Sequence, residues 1–196
     1  MSDTPRPPEF DFPLSWSGPD GIGASPFDEF DEREGPDVDG DDPAVALRRT
    51  LGMFATGVTV ITTLKGEQVH GMTANAFMSV SLEPPLVLIS VDRRTKMCAL
   101  LHEGSQYGVS VLCETQASLS DRFAGRPSED SPAPRFDLVR ETPLVEGALA
   151  HFVARVERSY WGGDHSLFLG RVEYARQGPG APLLFHGGRY ERLGQA

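Results

Sequence analysis

The stretch VHGMTANAFMSVSLEPPLVLISVD, Val69 to Asp92, decides the fold. Gly71, Thr73, Ala74 and Asn75 make a corner of small residues, and Phe77, Ser79 and Ser81 then alternate with their neighbours. After Pro84-Pro85, the run Leu86, Val87, Leu88, Ile89 and Val91 reads as a strand buried on both faces. The pattern is therefore strand, tight corner, core strand. Small side chains at such a corner let a ligand approach the main chain, whose amides suit a phosphate or a polar ring edge. An ordinary hairpin corner would look the same, and these residues alone leave both readings open.

Upstream, Asp42 as N-cap and Pro43 at the first helical position start a helix with Val45, Leu47, Leu51 and Phe54 on its apolar face and Gly57 at its end. Val58–Leu64 is a β-branched strand, and Lys65-Gly66-Glu67 turns it back. Strands thus follow one another without helical crossovers, which argues for an antiparallel barrel over a doubly wound sheet. No G-x-G-x-x-G is present, so a nicotinamide nucleotide would bind by other means.

Downstream, Arg93, Arg94 and Lys96 crowd a turn where Thr95 can cap a helix running to His102. Cations at a helix start suit a phosphate, although a solvated basic turn has the same composition. Gln106–Leu112 reads as a strand and Glu114–Phe123 as a helix with Leu119 and Phe123 inward. Gly125–Arg135, with three prolines, is a loop long enough for a lid or a subunit contact. Ala148–Tyr160 and Ser166–Tyr174 form a hairpin around Trp161-Gly162-Gly163, and Pro182–Tyr190 is a closing strand and turn.

The net charge of −10 divides unevenly. Residues 1–43 hold 13 acids and 2 arginines, leaving 15 acids against 16 bases in the rest. Residues 1–42 are rich in Pro, Gly, Asp and Glu, have no apolar period, and read as a disordered extension, though Phe10, Phe12, Trp16, Phe27 and Phe30 would let it dock as a strap. Residues 43–196 form the folded domain, and their near-neutral balance excludes an electrostatic case for nucleic-acid binding. Cys98 and Cys113 lack the spacing of a zinc site or a disulfide framework, so no metal is expected. Neither a membrane span nor a signal peptide is recognisable, which reads as a cytoplasmic protein.

The stretch Thr73-Ala74-Asn75-Ala76-Phe77-Met78-Ser79-Val80-Ser81-Leu82-Glu83-Pro84-Pro85-Leu86-Val87, followed by Asp92-Arg93, resembles the flavin reductase-like family and its TAN-[ST]-F-x-SVSL-x-PP-LV motif. Ala76 replaces the usual hydroxyl residue, removing one hydrogen bond to the flavin's phosphate or ribityl side. Gly163-Asp164-His165-Ser166-Leu167-Phe168-Leu169-Gly170-Arg171-Val172 resembles its second motif, G-D-H-x-[IL]-x-x-G-x-V, and the closing Pro182–Tyr190 resembles a third. The resemblance covers about Ala44 to Leu193.

It implies a mainly β (α+β) fold, a six-stranded antiparallel FMN-binding split barrel with a few peripheral helices, assembled as a homodimer with flavin at the interface. It also implies FMN, or FAD, held by Thr73, Ala74, Asn75, Ala76, Phe77, Ser79, Val80, Ser81, Arg93, Thr95 and Lys96. Arg189 and Tyr190 stand near the flavin or close the barrel. His165 would orient the nicotinamide of NADH or NADPH, with Asp164 fixing the imidazole, while hydride passes directly to the flavin. The implied function is an NAD(P)H-dependent flavin reductase supplying reduced flavin to a partner monooxygenase. The alternative is a non-catalytic flavin carrier of the same barrel; an oxidase of the pyridoxamine-phosphate type fits the motifs less well.

Overall fold

Short antiparallel connections organise the chain. The computed structural model describes residues 37–38, 42–128, 131 and 133–194. In chain order these form α1 (Pro43–Leu51), β1 (Thr56–Gly57), β2 (Thr59–Lys65), β3 (Gln68–Ala74), β4 (Phe77–Leu82), β5 (Pro85–Asp92) and α2 (Lys96–Leu100). Then come β6 (Gln106–Val111), a 3-10 turn (Glu114–Gln116), α3 (Ala117–Phe123), β7 (Phe136–Val139), β8 (Thr142–Val145), β9 (Ala150–Gly162), β10 (His165–Gln177), β11 (Leu184–His186) and β12 (Arg189–Glu191). The reading of residues 1–42 as an extension falls, but for Asp37, Val38 and Asp42, outside the described residues.

The principal sheet has seven strands in the order β3-β2-β6-β9-β10-β5-β4, every pairing antiparallel. The mainly β, antiparallel expectation holds, with seven strands in place of six and smaller sheets β1-β11-β12 and β7-β8 beside them. The two edge strands, β3 and β4, are consecutive in sequence and joined by Asn75 and Ala76. The corner therefore sits where the sheet is split.

Ile61, Ile89, Val91, Met97, Tyr107, Val109 and Phe168 make the main core. A second cluster of Val58, Val60, Leu112, Val145 and Leu183 lies under Leu119 and Phe123 of α3. Because β2 contributes to both, Thr59–Thr63 are all buried, which is why that strand reads as a continuous β-branched run. Gly71 lets α3 close on β3: a Cβ there would stand 2.6 Å from the Phe123 ring.

Two expectations for the first helix are corrected. The first helix stops at Gly52, not Gly57, with the Gly52 amide bonded back to Arg48 O and Thr50 O. Its expected apolar face is exposed, Phe54 at 79% and Leu51 at 66%, and only Ala46 is buried. No element of the described chain covers it. The β7-β8 hairpin has no turn signature in the sequence, because Arg140 and Glu141 carry its positive φ angles (50° and 64°) where glycine or asparagine would announce a turn. In the preceding loop Ser131 is buried and tied to α3, its carbonyl accepting from Arg122 Nη2 (2.7 Å) and its hydroxyl donating to Ser118 O (3.2 Å).

Candidate functional site

The site gathers at the C-terminal end of β5, which lies between β10 and β4. His165 is the cross-strand partner of Asp92, and just beyond the ladder the Arg93 amide donates to Asp164 O at 3.0 Å. The basic turn and the His165 turn are thus neighbours by register. On the other flank the Ser90 amide donates to Ala76 O at 3.1 Å. Two strand spacings, about 10 Å, separate the Asn75–Ala76 corner from the His165 turn.

Asp92 shapes the basic turn. Its carboxylate accepts from Arg94 N (2.8 Å), Nε (3.1 Å) and Nη2 (2.7 Å). These bonds, the side-chain ones first, hold the Asp92 carboxyl far below the usual carboxylate range and push the Arg94 guanidinium up. Thr95 donates its hydroxyl to Asp92 O (2.7 Å) and accepts from the Cys98 amide (3.3 Å), so it starts α2 as expected. Lys96, the first residue of that helix, is exposed. Lys96 and Lys65 lie close enough to His70 to lower its pKa, although burial is the larger cause.

Gly163, at φ 71°, makes the turn that presents Asp164 and His165. Asp164 Oδ1 lies 2.7 Å from His165 Nδ1. A carboxylate only accepts, so Nδ1 carries the proton and Nε2 is left for a ligand. The same bond holds the Asp164 carboxyl below its ordinary value. Both side chains remain accessible, at 39% for His165 and 78% for Asp164. A cavity of about 390 Å³ opens beside them, lined by Arg93, Arg94, Cys98 and Asp164.

Of the residues singled out in the sequence, Asn75, Ala76, Arg93, Thr95, Asp164 and His165 come together here. Ser79, Val80 and Ser81 run away from this end along β4, where Val80 occupies a bulge between Ser79 and Ser81 and is exposed. Such a bulge re-aims a side chain. Phe77 points inward, its ring 5.6 Å from Phe152 and packed on the main core. Ala74 packs on the same core, and its carbonyl accepts from Thr59 Oγ1 at 2.6 Å.

Thr73 and Tyr190 use their hydroxyls on α3, Thr73 on Ser120 O (2.6 Å) and Tyr190 on Ser120 Oγ (2.8 Å) and Asp121 Oδ1 (3.0 Å). Arg189 is exposed, 4.0 Å from Glu191. Sequence reasoning gave no site role to Trp161, Asp92 and Cys98. An Asp two residues before an Arg at a strand end was the available signal for Asp92; nothing local marks the other two.

The sequence profile of the family described as "Flavin reductase like domain" matches residues 51–194. The chain is 47% identical to an NADH-dependent flavin reductase of a Rhodococcus species, over 78% of this chain and 89% of that protein. It is 42% identical to the reductase component of 4-hydroxyphenylacetate 3-monooxygenase from Thermus thermophilus, covering 76% of this chain and 95% of the relative. Among solved structures it is similar to the NADH:FAD oxidoreductase SgcE6 of Streptomyces globisporus in complex with NAD and FAD fragments, with a TM-score of 0.71 at 42% identity over 81% of this chain and 97% of that one. With the corner, the basic turn and the Asp-His pair in one place, the chain belongs to the flavin reductase-like family.

Proposed function

We propose that the chain is an NADH-dependent flavin reductase that delivers reduced flavin to a separate monooxygenase component. The observation that carries this is the His165–Asp92 register, which sets the Asp164–His165 pair beside the Arg93–Lys96 turn, with only β5 between it and the Asn75–Ala76 corner. The relatives' names support the reading.

The donor set fits a flavin. Arg93 and Lys96 suit its phosphate end, with Thr95 holding their turn in shape. The outer edges of β3 and β4 have no strand paired to them among the described residues, and their main-chain groups suit the polar edge of the ring system. Ala74 and Phe77 anchor the corner from the core side, and Thr73 and Tyr190 brace it through Ser120. Exposed Val80 and Met78 offer apolar contact. When bound, the flavin supplies the hydride acceptor, and the protein supplies placement. His165, its tautomer set by Asp164, orients the nicotinamide amide through Nε2.

FMN is the first-choice flavin, with FAD as the alternative, and NADH precedes NADPH. The working unit is a homodimer, supported by the uncovered apolar side chains of α1, the segment after it and β4, among them Leu51, Phe54, Met78 and Leu82. Cys98 and Cys113 are free thiols, which suits the cytoplasm.

The test is NADH and NADPH oxidation by the purified protein while FMN, FAD and riboflavin are titrated. Turnover that saturates with added flavin supports the reading. Flavin binding without turnover overturns it in favour of a carrier. His165→Ala should lower kcat/KM for NADH roughly tenfold to a hundredfold while flavin still binds.

A further inference from the structure

The Asp164–His165 pair sits on an exposed glycine turn, where one solvent-exposed hydrogen bond contributes little rigidity. The β5-β10 ladder ends at His165–Asp92, and beyond it a single main-chain bond, Arg93 N–H to Asp164 O, ties this turn to the basic turn. Trp161 adds two side-chain contacts to that bond. Its indole N–H donates to Gly163 O, and Arg93 Cζ lies 4.6 Å from the centroid of its ring. Trp161 is also the cross-strand partner of Ser166, which pairs in turn with Val91. Partners across an antiparallel ladder share a face. The indole therefore stands on the side of the buried Ser166 and Val91, at the rim of the core.

We propose that Trp161 is the positioning residue of this site: one ring holds the Arg93 guanidinium and the Gly163 carbonyl together, so that the anion-binding turn and the His165 turn are presented as one rigid unit. The inference rests on the flavin reductase reading. With its flat face on Trp161, the Arg93 guanidinium keeps its N–H edge for an anionic ligand. If the clamp is lost, only a fraction of molecules present His165 correctly. Apparent affinity for NADH then falls by that fraction while turnover of the bound complex is kept.

The experiment compares Trp161→Leu and Trp161→Phe with the parent in steady-state kinetics, thermal unfolding and hydrogen exchange. Trp161→Leu should raise KM for NADH about tenfold with kcat within about twofold, because a surface cation–π contact and one hydrogen bond are lost together. Trp161→Phe keeps the ring, loses the N–H, and should fall between, roughly threefold. Amides of residues 162–165 should exchange faster in Trp161→Leu, while those of Phe152–Val156 in β9 keep their protection. A KM within twofold of the parent's together with unchanged exchange at 162–165 overturns the clamp. So does a loss of protection throughout β9, which would make Trp161 a general stability residue. Exchange needs no turnover, so a parent that fails to oxidise NADH would overturn the reductase reading and leave the clamp judged by its own measurement.

Discussion

Thr73 of β3 and Tyr190 of β12 hydrogen-bond to the same residue, Ser120, one to its carbonyl and the other to its hydroxyl. Strands from two different sheets are thereby pinned to one helix, directly behind the corner. Tyr190→Phe should cost about 1 kcal/mol of unfolding free energy and Thr73→Val a similar amount. Because both act on Ser120, the double variant should depart from additivity. Urea unfolding of the four proteins checks this; strict additivity would mean that the two bonds are independent.

Tyr107 is fully buried, and its hydroxyl has no hydrogen-bond partner among the described residues. It fills the space that a side chain at Gly170 would take: a Cβ there would stand 2.2 Å from the tyrosine oxygen. Tyr107→Phe should therefore stabilise the fold by about 1 kcal/mol, since an unsatisfied buried hydroxyl is removed. Gly170→Ala should destabilise by several kcal/mol, on the order of an overpacked core, and Tyr107→Phe should recover part of that loss. Chemical denaturation reads both signs.

Acid should loosen the site before the core. Asp92 and Asp164 have carboxyls held below the ordinary value by hydrogen bonds to Arg94 and His165. A depressed carboxyl contributes stability that is complete above its unfolded value and disappears as pH falls through the folded value. The contribution of both should be constant above about pH 5 and decline below about pH 4. Asp92→Asn should flatten that acid limb in a plot of thermal midpoint against pH.

Alkali acts on the tyrosines with the opposite sign. Burial raises the Tyr107 and Tyr190 hydroxyls above the ordinary value of 10.0. An unfolded chain ionises them first, so stability should fall as pH climbs past about 10. In Tyr107→Phe the fall should be shallower, which unfolding curves at pH 9 and 11 will show.

Leu82 is 94% exposed at the end of β4, and Phe54 is 79% exposed after α1. If a second copy covers them, Leu82→Asp should shift the protein towards the monomer in sedimentation and weaken flavin binding at the same protein concentration. A monomeric parent would instead leave these side chains as isolated surface residues.

The sequence by itself determined the elements whose evidence is local. Two-residue alternation showed the strands, Asp42-Pro43 the first helix start, and Thr95 the cap of α2. The small residues from Gly71 to Asn75 marked the corner, and Gly163-Asp164-His165 the turn that faces it. Each depends on a residue's own backbone preference or on neighbours a few positions away.

Tertiary structure alone decided which of these meet. The His165–Asp92 register, the Ser120 junction and the Arg93–Trp161 stack join residues far apart in sequence, and no periodicity encodes their pairing. The β7-β8 turn stayed hidden because Arg140 and Glu141 adopt positive φ without a glycine. The first helix misled for the converse reason. Its apolar spacing is real, but burial requires a covering partner, and none of the described elements of this chain covers it.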